Sequence, residues 1–216
     1  GKYEVEDQIA AARQLSDLPY IDEGRTGIWG WSYGGFMSSN CILKGNDVFE
    51  MAIAVAPVTS WRFYDTIYTE RYMHTPQENP GGYDENSPLN FADRLKGKFL
   101  LVHGSADDNV HVQNTMRMVE ALVQANKPFE WAIYPDRNHG IYGRNTRLHL
   151  YTKMTQIVRE NLYTNQNQTD GNSYQTCSQT QAFRTSGRAV YPVFHRNVGA
   201  LFLLRDAGYP RPLSHR

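Results

Sequence analysis

The chain carries no surplus of charge: 22 Lys and Arg balance 22 Asp and Glu over 216 residues. Without a basic excess there is no electrostatic footprint for nucleic acid or for an anionic membrane surface, so neither is expected as a main partner. Cysteine is nearly absent. Cys41 and Cys177 alone cannot build a disulfide scaffold, and neither stands at a metal-ligand spacing. No apolar run approaches the roughly 20 residues that a membrane-spanning helix needs. A signal peptide is not visible, and the chain opens on Gly1-Lys2-Tyr3-Glu4 in what reads as the approach to a helix, so further sequence is expected upstream.

What is present suffices for a packed core, with 40% hydrophobic and 12% aromatic residues. Val5, Ile9, Ala12 and Leu15 keep helical spacing, and acidic Glu4, Glu6 and Asp7 suit the positive end of a helix dipole. Short apolar strands are expected at residues 25–31, 49–58, 99–103 and 129–134. Helices are expected at 33–43, 110–126 and 148–162. The second of these should turn Val112, Met116, Val119 and Val123 to one face, and the third should turn Leu150, Met154, Ile157 and Val158 inward. Residues 59–97 are aromatic and punctuated by Pro and Gly, as in short helices and loops. Strands alternating with helices predict an α/β fold, a mostly parallel sheet covered on both faces. After Tyr163 a polar run, Asn165-Gln166-Asn167-Gln168, marks a change of character. Residues 1–163 are therefore read as one folded unit and 164–216 as an unmatched, disordered or aberrant tail.

Residues 28–37, IWGWSYGGFM, place Ser32 between glycines where a strand should end and a helix begin. The pattern Gly30-x-Ser32-x-Gly34 matches the nucleophile elbow of α/β-hydrolases, a turn that holds a serine hydroxyl clear of the sheet. A serine hydroxyl is a poor nucleophile at neutral pH; it needs a base, and the base needs an orienting acid. In this fold the chain order is Ser, acid, His, with each partner on a loop after a strand. Asp107 and Asp108 follow the strand at 99–103, and His139 follows the strand at 129–134. Of the seven histidines, His74 and His103 precede the acid, and His103 reads as a packed core residue. His111 and His149 lie in or beside helices, and His195 and His215 belong to the tail. His139 alone combines order and loop position. Spacing does not choose between Asp107 and Asp108, because an Asp-Asp-Asn cluster also makes a good turn or cap.

Five stretches occur in order: GWSYGG, AVAPV followed by Trp61 and Tyr64-Asp65, YTERYM, HGSADDNVH and NHGIYG. Together they resemble the dipeptidyl-peptidase branch of the prolyl oligopeptidase family of serine peptidases, over residues 1 to about 163. The resemblance implies an α/β-hydrolase catalytic domain that acts through an acyl-enzyme, with no cofactor and no metal. It implies Ser32 as nucleophile, Asp107 rather than Asp108 as orienting acid, His139 as general base and the Tyr33 N–H as an oxyanion donor. A proline pocket would be formed by Val58, Trp61, Tyr64, Tyr68, Val110 and the ring of Tyr33, with Asn109 hydrogen-bonded to the substrate's penultimate carbonyl. A flat aromatic box suits a pyrrolidine ring and offers nothing to a charged side chain.

The implied reaction is release of Xaa-Pro or Xaa-Ala dipeptides from peptide N-termini. The implied partners are peptides with Pro or Ala second, and the implied state of the full-length parent is a homodimer. The implied location is periplasmic, cell-surface or secreted. Met51 and Asn161 stand where animal members place a disulfide, which points to a bacterial relative. Earlier strands, a tyrosine oxyanion donor and a β-propeller bearing the amine-binding glutamates are expected upstream of residue 1. An isolated chain is accordingly expected to expose the edge of the strand at 25–31 and to be inactive. The rival readings are another prolyl-oligopeptidase relative such as an acylaminoacyl peptidase, an esterase, and a non-catalytic binding relative.

Overall fold

A computed structural model describes residues 1–163, 190–195 and 199–205, the last two stretches as backbone strands. The chain begins with helix α1 (Tyr3–Ser16), which buries Val5, Ile9 and Ala12 at the expected helical interval. Strand β1 (Ile21–Trp31) runs into helix α2 (Tyr33–Lys44) through Ser32 alone. Strand β2 (Met51–Val55) is wholly buried. The irregular stretch after it holds a 3-10 turn at Trp61–Phe63, helices α3 (Thr66–Met73) and α4 (Pro80–Asp84), and a second 3-10 segment at Pro88–Arg94. Strand β3 (Lys98–Gly104), helix α5 (Gln113–Gln124), strand β4 (Glu130–Tyr134) and helix α6 (Thr146–Leu162) complete the alternation.

Strands β1 to β4 pair in parallel, with Trp31 level with Val55, Val55 level with Val102, and Gly104 level with Tyr134. Parallel strands are buried on both faces, so their residues alternate between two apolar layers rather than between core and water. Ala52, Ala54, Phe99 and Leu101 face one layer with Val5, Phe36, Met118 and Leu122. Met51, Ile53, Val55, Leu100 and Val102 face the other, with Leu150, Met154, Ile157 and Val158 of α6. The strand ends therefore share one edge of the sheet. The loops that leave this edge carry Ser32, Asp107 and His139.

Two expectations need correction. In α5 the buried residues are Asn114, Thr115, Met118 and Leu122, whereas Met116 and Val123 are exposed. The apolar stripe chosen from sequence was displaced because Asn114 and Thr115 bury their polar groups in hydrogen bonds, which an apolarity count cannot register. The edge of β1 is also occupied. Within 164–216, strands β5 (Val190–His195) and β6 (Gly199–Arg205) are described, and β6 lies antiparallel to β1 with Ile28 level with Leu201. The sheet order is β4-β3-β2-β1-β6-β5. A strand edge presents unpaired N–H and C=O groups, and a hairpin at this position satisfies them.

Candidate active site

The elbow is built by steric exclusion. Ser32 adopts φ 61 and ψ −117, a left-handed backbone that L-residues rarely take. Its N–H donates to Val55 O at 2.9 Å and its carbonyl accepts from Phe36 N at 3.1 Å, so the turn is fastened to β2 and α2 together. A Cβ on Gly30 would land on the Gly34 carbonyl, and one on Gly35 would stand 2.9 Å from Pro57 Cα. Only glycine permits the two backbones to close around the serine. Tyr33 is the first residue of α2, so its N–H has no acceptor within the helix. Among the described residues no hydrogen bond joins the Ser32 hydroxyl to His139; such bonds often tighten only when substrate is bound.

Asp107 is held from four directions. Its Oδ1 accepts the N–H groups of Asn109 at 3.0 Å and Val110 at 2.9 Å, forming an Asx-type turn. Its Oδ2 lies 2.7 Å from His139 Nδ1 and 3.2 Å from His103 Nε2. Burial opposes the charge, but hydrogen bonds from His103, His139 and the Val110 N–H hold the Asp107 carboxyl well below the usual carboxylate range. Asp108, in the same turn, is exposed. The sequence left this pair open, and the turn separates them by pointing one inward and one to water.

The histidine loop is clamped from outside. Trp31 Nε1 donates to His139 O at 2.9 Å. Arg147 donates to Gly140 O through Nη2 at 2.9 Å and lies over the Tyr142 ring at 4.0 Å. Ile141 is fully buried and takes φ 48, an unusual backbone for a β-branched residue, so packing fixes the loop in a strained form.

The aromatic residues predicted for the pocket form one cluster. Trp61 stacks on Tyr68 with centroids 6.0 Å apart and meets Tyr64 edge-on at 5.8 Å. Tyr33 is 5.9 Å from Trp61. Val58 and Val110 are buried in the same apolar layer as Trp61. The Tyr64 hydroxyl donates to Asn109 Oδ1 at 2.7 Å, which fixes the orientation of the Asn109 amide. Burial, then the nearby Asp65 carboxylate, the Tyr68 phenol and the Asp107 carboxylate, raise the Tyr64 phenol and keep it a donor. Asn114 anchors the preceding loop, accepting Thr59 N at 2.9 Å on Oδ1 while Thr59 Oγ1 donates to Asn114 O at 2.8 Å.

Four contributors escaped the sequence reading. Phe36 supports Tyr33 and Trp61, with its centroid 5.3 Å from Trp61; its place three residues after Tyr33 on α2 was the available signal. Trp31 was visible beside Ser32 but had no assigned partner. Arg147 carried no local signal. His103 is buried as expected, yet it touches Asp107, a contact across a turn that spacing does not disclose.

A parallel sheet whose first strand ends in a strained elbow serine, with an aspartate and a histidine joined on later loops, defines an α/β-hydrolase fold. Residues 1–164 match the prolyl oligopeptidase family of serine peptidases, and the chain belongs to that family. It is 46% identical over 158 residues to a protein named probable dipeptidyl-aminopeptidase B from Aspergillus oryzae, covering 72% of this chain and 18% of the relative. Its counterpart in Ajellomyces capsulatus is 48% identical over 157 residues, covering 71% and 17%. The crystal structure of Porphyromonas gingivalis dipeptidyl peptidase 4 superposes with a TM-score of 0.73 at 57% identity, covering 74% of this chain and 23% of that one. The chain thus spans less than a quarter of the length of these relatives.

Proposed function

We propose that this chain carries the catalytic centre of a serine exopeptidase that releases Xaa-Pro or Xaa-Ala dipeptides from the N-termini of peptides, as dipeptidyl peptidase IV does. Ser32 Oγ attacks the carbonyl after the second residue. His139 Nε2 takes the hydroxyl proton and later delivers it to the leaving amine. Asp107 holds the His139 Nδ1–H and stabilises the imidazolium as it forms. The oxyanion draws on the Tyr33 N–H at the start of α2, where the helix dipole adds positive potential. Water then repeats the cycle on the acyl-enzyme and releases the dipeptide.

The observation that carries the reading is the 2.7 Å contact between His139 Nδ1 and a buried Asp107 at the sheet edge where Ser32 is presented. The Tyr33–Trp61–Tyr64–Tyr68 cluster supports proline selectivity, because flat rings pack well against a pyrrolidine. An esterase is less well served, since a narrow aromatic box of this kind does not receive a long acyl chain. The proposal extends to action on extracytoplasmic peptides by a homodimer.

The test is product analysis by mass spectrometry, with the full-length protein incubated with peptides beginning Gly-Pro, Gly-Ala and Gly-Leu, each with a free or an acetylated amine. Release of intact Gly-Pro from the free-amine peptide alone supports the reading. Cleavage within acetylated peptides, or equal cleavage after Leu, contradicts it.

A further inference from the structure

His103 closes strand β3 with its side chain fully buried, and three oxygens surround its ring. Nε2 lies 2.7 Å from Val110 O and 3.2 Å from Asp107 Oδ2. A carbonyl and an ionised carboxylate can only accept, so Nε2 carries a proton. Nδ1 lies 2.7 Å from Thr115 Oγ1 on α5, whose hydroxyl can donate and complete a neutral ring.

The contacts form a closed cage around the acid. Val110 offers its carbonyl to His103 and its N–H, at 2.9 Å, to Asp107 Oδ1. His103 thus reaches the carboxylate directly at Oδ2 and indirectly through Val110 at Oδ1. The oxygen it approaches is the one that receives His139 Nδ1–H. Two imidazoles therefore converge on one carboxylate oxygen: His139 is partly open to solvent, and His103 is sealed inside and tied to β3 and α5. A carboxylate with a free χ2 could turn its second oxygen toward the base. Donors on both oxygens from a rigid interior prevent it.

We propose that His103 is a positioning residue that fixes the Asp107 carboxylate plane and, through it, the tautomer and orientation of the His139 ring, with Thr115 selecting the His103 tautomer that donates. This inference rests on Asp107 and His139 acting as proposed above. His103 touches neither the substrate nor the reacting atoms, so its effect falls on turnover rather than on binding.

Two readouts test it. In the full-length protein labelled with 15N-histidine, the His139 Nδ1–H bonded to Asp107 should give a downfield exchangeable proton resonance. His103→Phe, which keeps the ring shape without its donor, should shift or broaden that resonance. His103→Gln, whose amide can reach the Nε2 position, should restore it. In the full-length protein, His103→Phe should lower kcat for a Gly-Pro nitroanilide by about 10-fold with KM within about twofold, the scale for losing the hydrogen bond to Val110 O together with the 3.2 Å polar contact to Asp107. Should His103→Phe fail to fold, Thr115→Val decides by the same two readouts, with Thr115→Ser expected to behave as the unsubstituted protein. A wild-type resonance and kcat in His103→Phe or in Thr115→Val would overturn the inference, as would losses in all four variants that merely track melting temperature. Absence of the resonance from the unsubstituted chain would overturn instead the pairing of Asp107 with His139, and this inference with it.

Discussion

The indole of Trp31 and the backbone of His139 are joined by a hydrogen bond of 2.9 Å across 108 positions of sequence. Trp31 is the last residue of β1 and directly precedes Ser32, so the bond ties the strand that leads into Ser32 to the loop that carries His139. A second brace on the same loop is the Arg147 guanidinium on Gly140 O, and under the proposed mechanism the two together position His139 relative to Ser32.

Trp31→Phe should therefore lower kcat for Gly-Pro substrates by about tenfold with little change in KM, the scale expected for one lost hydrogen bond to a positioning element. Arg147→Ala should act in the same direction. Steady-state kinetics of the full-length protein checks both; a rise in KM at constant kcat would place these residues in substrate binding instead.

Among the proposed catalytic side chains, Ser32→Ala or His139→Ala should reduce kcat by four or more orders of magnitude. Asp107→Ala should cost on the order of 10⁴, whereas Asp108→Ala, at an exposed position, should change the rate by about twofold or less. A larger effect at Asp108 would reverse the assignment of the acid.

The sequence exposed Ser32 and His139 because the elbow needs glycines at fixed offsets and the chain order leaves few histidines to choose from. Spacing could not divide Asp107 from Asp108, since adjacent residues of one turn share every local signal and only the direction of the side chain differs; the choice of Asp107 came from the resemblance. The sequence read His103 as core, correctly as to burial, and missed the Asp107 contact because a histidine's partners are set by the fold around it. The α5 stripe was misplaced where Asn114 and Thr115 are buried by hydrogen bonding. β1 begins at Ile21, earlier than its apolar run suggests, and its pairing with β6 extends back to Ile21 opposite Arg205. The aromatic box became legible through resemblance, since Trp61, Tyr64 and Tyr68 alone would pass for core.

Specificity should reside in that box. Trp61→Ala or Tyr64→Ala should weaken kcat/KM for Gly-Pro substrates by roughly 10-fold to 100-fold while the fold persists. Tyr64→Phe, which keeps the ring and removes the hydroxyl bonded to Asn109, should have the smaller effect and act mainly on KM. Paired assays on Gly-Pro and Gly-Leu nitroanilides decide; an unchanged preference in all three variants would place the pocket elsewhere.

The Asp107 carboxyl lies below its unfolded value of about 3.9. Its ionised form therefore contributes stability above about pH 4, and that contribution is lost as pH falls toward the folded-state value. Urea midpoints at pH 7 and pH 3 should differ more for the unsubstituted chain than for Asp107→Asn. Equal differences would mean that the carboxylate is not preferentially held in its charged form.

The proposed mechanism makes Ser32 the nucleophile and His139 the base that activates it. Its most direct measurement is peptide mapping of the full-length protein after brief reaction with a fluorophosphonate at neutral pH. One modified residue is expected, Ser32, with labelling abolished in Ser32→Ala and slowed by several orders of magnitude in His139→Ala. Modification of a different serine, or undiminished Gly-Pro hydrolysis by Ser32→Ala, would contradict it.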